Sequence, residues 1–331
     1  MPDPSTLPSN NTRGASFSPG GEFLVIGDSS APFIDIYQRT GSTFSRLLNA
    51  PSSTSTDGRL CSWTPDGEYL AISSQVSPML KIYQRSGASF TQLPSPASLT
   101  TSPGRGCKFS PSGEYLSVSH ISQGFLTLYR RTGSSFEVLD APASAPTDQV
   151  NNIDWSPDNR YLAIAQAISG GQNIYLYENQ NGTLIRLSDP ASLPSGDGRT
   201  VAFSPGGNLL AASNNAGDIF IYEHNEGNLT LTNEIDEGTG TINGLCWHPS
   251  GQYLATGSSL PPFLRVYSKN SDNSFTALPD PSTSPASNIF DANWSNDGQF
   301  LVTAHNTSPY ITIYQSTAAS ASDNVGVISS T

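Results

Sequence analysis

Four arginines recur at equivalent places along the chain, and arginine is a side chain well suited to binding oxyanions. They are Arg13, Arg59, Arg105 and Arg199, four of the 12 arginines in the sequence. Asn151 and Asn243 stand at the same place in two further segments. A guanidinium offers a planar fork of N–H donors that fits a carboxylate or a related anion. The pattern predicts that these side chains form an anion or carboxylate socket. The alternative is a structural staple, in which each arginine bonds to carbonyls of the loop before it.

Two of the four histidines, His120 and His305, also share one place in the pattern. The other segments carry polar residues there: Asp28, Ser74, Gln166, Asn214 and Ser258. One interpretation is a polar ring near the mouth of a channel. The alternative is that these side chains cap strand ends and satisfy loop carbonyls. The two histidines belong to segments that are not neighbours, so no two-histidine metal site is expected.

No motif in the sequence carries bond-making chemistry. There is no nucleophile elbow, phosphate loop or paired Cys/His motif. Cys61, Cys107 and Cys246 lie far apart and fit no zinc spacing. Cys61 and Cys107 occupy a slot that holds small or apolar residues elsewhere, where a buried thiol acts as a small hydrophobe. The sequence therefore predicts no catalytic residue, no metal and no other cofactor.

All of these residues belong to a pattern that repeats seven times. Each copy contains an aromatic anchor, which is followed in most copies by Ser/Thr-Pro, a Gly and an apolar pair. The anchors are Phe17, Trp63, Phe109, Trp155, Phe203, Trp247 and Trp294, at spacings of 46, 46, 46, 48, 44 and 47 residues. A second shared stretch ends in Tyr37, Tyr83, Tyr129, Tyr177, Tyr222, Tyr267 and Tyr314. The arginines stand four residues before an anchor.

Each copy predicts four short strands joined by tight turns. In the second copy the strands are 59–63, 69–73, 80–83 and about 90–93. Proline fixes φ in the first turn, and glycine takes the positive φ that closes it. The second strand is apolar or small on both faces, as expected for a sheet packed between two others. The 331 residues, with 29 Gly and 25 Pro, therefore predict an all-β fold. It is a single seven-bladed β-propeller with four antiparallel strands per blade, over residues 1–331.

The last copy of the pattern supplies three strands, ending at Tyr314, so the fourth strand of the last blade must come from outside the repeat. The N-terminal segment 4–12 contains no such strand, so the C-terminal tail, at 324–328, is expected to complete the last blade. The alternative is a frayed, three-stranded last blade with a disordered tail.

The repeats resemble the WD40-like β-propeller superfamily, in its Ser-Pro-Asp-Gly variety, over residues 14–315. The Trp-Asp pair of true WD40 repeats is absent, and Tyr-Gln stands there in three blades. The usual Asp-His-Ser-Trp hydrogen-bond network therefore cannot form as it does in that family. Segments 32–41 and 308–314 are similar to repeats in structural proteins of tailed bacteriophages.

Composition narrows the range of partners. The net charge is −12, and no run of Lys or Arg is present, so nucleic acid is not an expected partner. No apolar stretch approaches a membrane span, and no Sec-type signal is visible at 1–11.

Long, Pro/Ser-rich connections between blades, such as 49–58 and 279–285, suit a protein or carbohydrate contact, or serve as inert connectors.

The sequence thus favours a non-enzymatic structural or interaction protein. The phage resemblance implies a virion component, either a capsid decoration or a tail-associated protein, assembled in the host cytoplasm. Its partners would be other virion proteins, with a host surface glycan as a further possibility. The alternative is an intracellular, cytoplasmic WD40-like scaffold for protein interactions. A lactonase-like or glycan-cleaving propeller enzyme is less favoured, because no single blade carries a distinct acidic, histidine or metal-binding cluster.

Overall fold

The chain folds into seven four-stranded antiparallel sheets. The computed structural model describes residues 4, 6–48, 57–96, 102–122, 124–168, 171–238, 240–285, 287–316 and 328–329. Within this part of the chain there are 28 strands and no helix, and hence no helix that could cross a membrane. The predicted all-β, seven-bladed propeller with four antiparallel strands per blade is confirmed.

The strands follow the chain, four to a blade. Blades 1 and 2 contain β1 (Thr12–Phe17), β2 (Phe23–Asp28), β3 (Ile34–Thr40), β4 (Thr43–Arg46), β5 (Gly58–Trp63), β6 (Tyr69–Ser74), β7 (Leu80–Ser86) and β8 (Ser89–Gln92). Blades 3 and 4 contain β9 (Gly104–Phe109), β10 (Tyr115–His120), β11 (Leu126–Thr132), β12 (Ser135–Val138), β13 (Val150–Trp155), β14 (Tyr161–Gln166), β15 (Ile174–Gln180) and β16 (Thr183–Arg186). Blades 5 and 6 contain β17 (Gly198–Phe203), β18 (Leu209–Asn214), β19 (Asp218–Asn225), β20 (Asn228–Asp236), β21 (Ile242–Trp247), β22 (Tyr253–Ser258), β23 (Leu264–Lys269) and β24 (Phe275–Ala277). Blade 7 contains β25 (Ile289–Trp294), β26 (Phe300–His305), β27 (Ile311–Ser316) and β28 (Ile328–Ser329).

In most blades the turn after the anchor is fixed by a Ser or Thr side chain as well as by its proline. Thr64 Oγ1 accepts the backbone N–H of Tyr69 at 3.0 Å, and Ser156 Oγ accepts that of Tyr161 at 2.8 Å. Gly67 closes its turn at a φ of 68°. In blade 4 Asn159 takes the same role at a φ of 67°, because asparagine tolerates this region better than other non-glycine residues.

The hydrophobic core lies between blades. The second strand of every blade is buried along its length, and only Tyr253 of β22 is partly exposed. One cluster joins Leu128 of blade 3 to Leu162 of blade 4, and equivalent clusters join the other neighbours. No blade therefore buries its own faces alone, and each depends on the blade beside it.

The ring closes by packing and hydrogen bonds between blades 7 and 1. Thr12 Oγ1 donates to the carbonyl of Tyr310 at 2.5 Å and accepts the backbone N–H of His305 at 3.0 Å. Ala15 of blade 1 packs in one cluster with Val302 of blade 7. In blade 7, β28 pairs with β27, so the fourth strand comes from the C-terminal tail. Residues 324–327 of the predicted strand lie outside the described residues.

Candidate anion-binding site at the channel mouth

A β-bulge at the start of the innermost strand leaves one residue unpaired in six blades and two residues, Arg59 and Leu60, unpaired in blade 2. In blade 1 Thr12 pairs with Asp28 and Gly14 with Gly27, so Arg13 has no partner across the ladder. A register shift at the same place recurs in the other six blades. Bulges re-aim a side chain at the edge of a sheet. The residues at this ring position are Arg13, Arg59, Arg105, Asn151, Arg199, Asn243 and Phe290.

These seven residues surround one small cavity at a mouth of the axial channel. The cavity has a volume of about 70 Å³, and Leu60, Asn152 and Asp291 complete its lining. The start of each innermost strand pairs with the end of the second strand, so this mouth lies on the face that bears the connections between blades. The structure thus brings together all four arginines and Asn151 of the predicted socket. We call Arg13, Arg59, Arg105 and Arg199 the arginine mouth.

The two asparagines of the ring act as staples between blades. Asn151 donates from Nδ2 to the carbonyl of Gly198 in blade 5 at 2.7 Å. Asn243 donates from Nδ2 to the carbonyl of Ile289 in blade 7 at 3.2 Å. Each amide nitrogen therefore donates to the innermost strand of the next blade, while Asn151 Oδ1 accepts from Gln149 Nε2 of its own preceding loop at 2.6 Å.

The arginines are not stapled in this way. Arg59 pairs through Nε with Asp57 Oδ2 at 2.9 Å. Among the described residues, Arg13, Arg105 and Arg199 have no hydrogen-bond partner for their guanidinium groups, and the Nε atoms of Arg13 and Arg199 are buried without one. Arg13 instead stacks on the ring of Phe290, with Cζ 4.1 Å from the ring centroid.

The guanidinium groups are close enough to repel one another. Burial, together with the charges of Arg59, Arg199 and Arg13, lowers the pKa of Arg105 to about 10. Burial also lowers the pKa values of Arg13 and Arg199. The charge of Arg59 adds to this effect at Arg13, whereas the charges of Asp57 and Asp197 oppose it at Arg13 and Arg199 respectively. These groups stay protonated near neutral pH, so the mouth holds concentrated positive charge.

Asp291 forms the inner end of this cavity. Its Oδ2 accepts the backbone N–H of Ala15 at 2.9 Å, and its Oδ1 accepts that of Ala292 at 3.0 Å. Burial raises the pKa of Asp291 to about 7 in spite of these bonds. Its oxygens therefore hold blade 7 against blade 1 and leave the guanidinium groups without an ion pair from this carboxyl.

A second cavity of about 250 Å³ continues the channel beyond Asp291. Its charged pair is Lys108 Nζ and Asp154 Oδ1, 3.0 Å apart. The charge of Asp154 raises the pKa of Lys108 against the effect of burial. Asp154 Oδ2 also accepts the backbone N–H of Phe203 at 2.8 Å. Both charges in this part of the channel are therefore engaged within the protein.

The two histidines do not belong to the channel mouth, and this part of the predicted site is wrong. His120 is 1% exposed, with Nε2 2.9 Å from Thr127 Oγ1 and Nδ1 3.2 Å from the carbonyl of Ser102. His305 is fully buried, with Nε2 3.0 Å from Thr312 Oγ1. Each ring turns into its own blade because it bonds to the third strand and to a loop carbonyl. The alternative interpretation, a cap on the strand end, describes both.

In four blades the tyrosine that ends the shared stretch of the third strand has a role that sequence reasoning missed. Tyr177 Oη donates to the carbonyl of Ser144 at 2.9 Å, and Tyr222 Oη donates to that of Ser192 at 2.9 Å. In both blades the accepting residue lies eleven positions before the anchor. Thr6 and Thr283 occupy the same position and accept from Tyr37 and Tyr314. The constant distance from the accepting residue to the anchor was the available signal.

The lining of the second cavity includes Cys61, Cys107 and Cys246. Burial raises the pKa of the Cys107 thiol to about 12, so it stays protonated. Within the ranges that the structure describes, no three His, Cys, Asp or Glu residues are grouped so as to hold a metal ion. The opposite mouth is a wider cavity of about 550 Å³, rimmed by the turn prolines Pro19, Pro65, Pro111, Pro157 and Pro205.

Comparison with known proteins agrees with this architecture. The crystal structure of the β-propeller domain of Myceliophteria thermophila Cps50 (Swd1) is similar, with a TM-score of 0.73 at 14% sequence identity. The similarity covers 95% of this chain and 99% of that chain. Residues 123–276, less than half of the chain, match the family model described as Eukaryotic translation initiation factor eIF2A. No curated protein sequence gave a significant match. The seven-bladed β-propeller fold predicted from the sequence is confirmed.

Proposed function

We propose that this protein is a non-enzymatic interaction module that serves as a structural component of a phage virion, as a capsid decoration or a tail-associated protein. The observation that carries the proposal is a ring whose exposed turns are fixed in place. Ser110 Oγ accepts the backbone N–H of Tyr115 at 3.1 Å, and Ser204 Oγ accepts that of Leu209 at 3.0 Å. A surface that is already ordered loses little conformational entropy when a partner binds.

The loops between blades are held in the same manner. Tyr177 and Tyr222 tie their loops to the third strand through buried hydroxyl groups. The loop 279–285 is rich in proline and serine, and Tyr314 Oη donates to the carbonyl of Thr283 within it at 3.1 Å. Both faces of the disc therefore offer ordered turns and loops that suit a permanent contact with other virion proteins or with a host surface glycan.

The virion assignment is supported by the two segments that resemble phage repeats. Segment 32–41 contains β3, and segment 308–314 contains the start of β27. They occupy equivalent places in blades 1 and 7, the two blades that meet where the ring closes. This role places the protein in the virion, after assembly in the host cytoplasm.

Separating a lysate of the producing cells on a density gradient, with an antibody against this chain, tests the proposal. The expected result is co-migration with particles at a fixed number of copies per particle. Migration apart from particles, bound to cellular proteins, would contradict the virion role. It would favour the alternative, an intracellular scaffold, which the match of 123–276 to the initiation-factor model supports.

A further inference from the structure

We propose that the arginine mouth binds a tetrahedral oxyanion of the phosphate class. The site is formed by Arg13, Arg105 and Arg199, with Arg59 at its edge, and its residues are distinct from the turns and loops on which the proposed function rests, although it opens on the face that bears those loops. The ligand is a single anionic group, held either as a free ion or as the end of a phosphate monoester.

Unpaired charge is the first reason. The chain has a net charge of −12, yet three guanidinium groups lie together with no ion pair among the described residues. Arg59 is the member of the mouth that has a carboxylate partner, Asp57. Repulsion among half-buried cations costs free energy, and an anion between them removes that cost.

The contrast within the ring is the second reason. Where asparagine stands at the ring position, its amide bonds to the next blade, as Asn151 does to Gly198. Where arginine stands there, the guanidinium reaches the cavity without bonding to a carbonyl among the described residues. The fold is therefore stapled at this level by the asparagines. The donors of Arg13, Arg105 and Arg199 are left for a ligand.

Geometry selects the shape of the anion. The three unpaired arginines come from blades 1, 3 and 5, so their donors approach the cavity from different sides. A planar carboxylate presents its two oxygens in one plane, whereas a tetrahedral oxyanion presents acceptors in every direction. A cavity of about 70 Å³ has room for one such group or a few waters, and excludes a sugar ring or a nucleobase.

Calorimetric titration at constant ionic strength tests the proposal, with inorganic phosphate, methyl phosphate and acetate as probes. We expect one phosphate per chain, and acetate bound roughly tenfold more weakly or not at all. Equal binding of methyl phosphate would identify a phosphate monoester as an acceptable source. Binding of inorganic phosphate alone would identify the free ion. Both outcomes support the site.

The variant Arg105→Asn gives the ring the residue that it already has at Asn151 and Asn243. We expect it to weaken phosphate binding roughly tenfold or more, since charged hydrogen bonds are lost. Its thermal unfolding without phosphate should be unchanged or shifted upwards, because repulsion within the mouth is relieved. Arg13→Asn is a second variant with the same expected loss of binding.

Arg160→Asn is the matched control, because it removes the same charge outside the channel. Arg160 pairs with Glu178 at 3.1 Å and Glu226 at 2.6 Å on the surface. This variant should bind phosphate as the original chain does. The proposal is overturned if the original chain binds no phosphate stoichiometrically, if acetate binds equally well, or if both mouth variants keep full affinity. An equal loss in the Arg160 variant would also overturn it.

Discussion

At the scale of single residues, the sequence indicated which side chains gather but not what each one bonds. The recurrence of arginine four residues before the anchor predicted a cluster, and the structure brings Arg13, Arg59, Arg105 and Arg199 to one cavity. The sequence did not reveal that Asn151 bonds to the next blade while the arginines do not. For His120 and His305 the same reasoning failed. Equal spacing shows only that the two histidines occupy the same position in the repeat. The direction of each imidazole ring depends on its rotamer and on the threonine that it bonds to in the third strand.

His120 makes the stability of the protein depend on pH. Burial lowers its pKa from 6.5 to about 4, against the effect of its bond to Ser102. Protonation therefore favours the unfolded chain. The contribution of His120 to the free energy of unfolding is complete above about pH 6.5 and falls by about 3 kcal/mol as the pH drops to about 4.

His120→Gln removes this titration and introduces the residue found at the same place in blade 4, Gln166. In urea unfolding at several pH values, the variant should lose less stability on acidification than the original chain. Equal slopes of unfolding free energy against pH in the two proteins would contradict the assignment.

At the scale of strands and turns, prediction succeeded where local pattern decides the structure. The turn residues and the alternation of apolar residues predicted the strands in all seven repeats. The bulge at the ring position was missed, because it depends on pairing between strands and leaves no local mark: Arg13 and Phe290 occupy it equally. The tyrosine bonds to the loops were missed for a similar reason, since their partners lie about thirty residues away.

Close packing of β2 in blade 1 against β5, the innermost strand of blade 2, predicts a strict need for glycine at position 27. A Cβ there would lie 2.2 Å from the carbonyl oxygen of Arg59 and 2.8 Å from that of Gly58. Gly27→Ala must push β2 away from β5, and we expect the free energy of unfolding to fall by about 3 kcal/mol. Chemical denaturation measures this change.

Gly20→Ala is the control for that substitution. The nearest atom to a Cβ at position 20 is Glu22 Cγ, at 3.8 Å, which is ordinary contact. Its effect should stay within about 0.5 kcal/mol. Similar stabilities for the two alanine variants would show that the blades are not packed as closely as described.

At the scale of the whole molecule, the ring behaves as one unit because its core lies between blades. The join between blades 7 and 1 links residues almost 300 positions apart, through Thr12 and the backbone of His305 and Tyr310. The sequence predicted that the tail completes the last blade. It did not predict the join itself, since threonine at position 12 has no equivalent in the other repeats: they carry Gly, Val or Ile there.

Thr12→Val tests the join by giving blade 1 the residue that blade 4 has at position 150. The substitution leaves the buried N–H of His305 and carbonyl of Tyr310 without this partner, so we expect a loss of about 1–3 kcal/mol. Calorimetry should still show one unfolding transition at a lower temperature. A separate early transition would contradict a cooperative ring.

An experimental density map of the protein prepared in phosphate tests the central claim most directly. The account predicts seven sectors and a tetrahedral density at the arginine mouth, contacted by Arg13, Arg105 and Arg199. An empty mouth in which these guanidinium groups bond to carbonyls of their own preceding loops would contradict it.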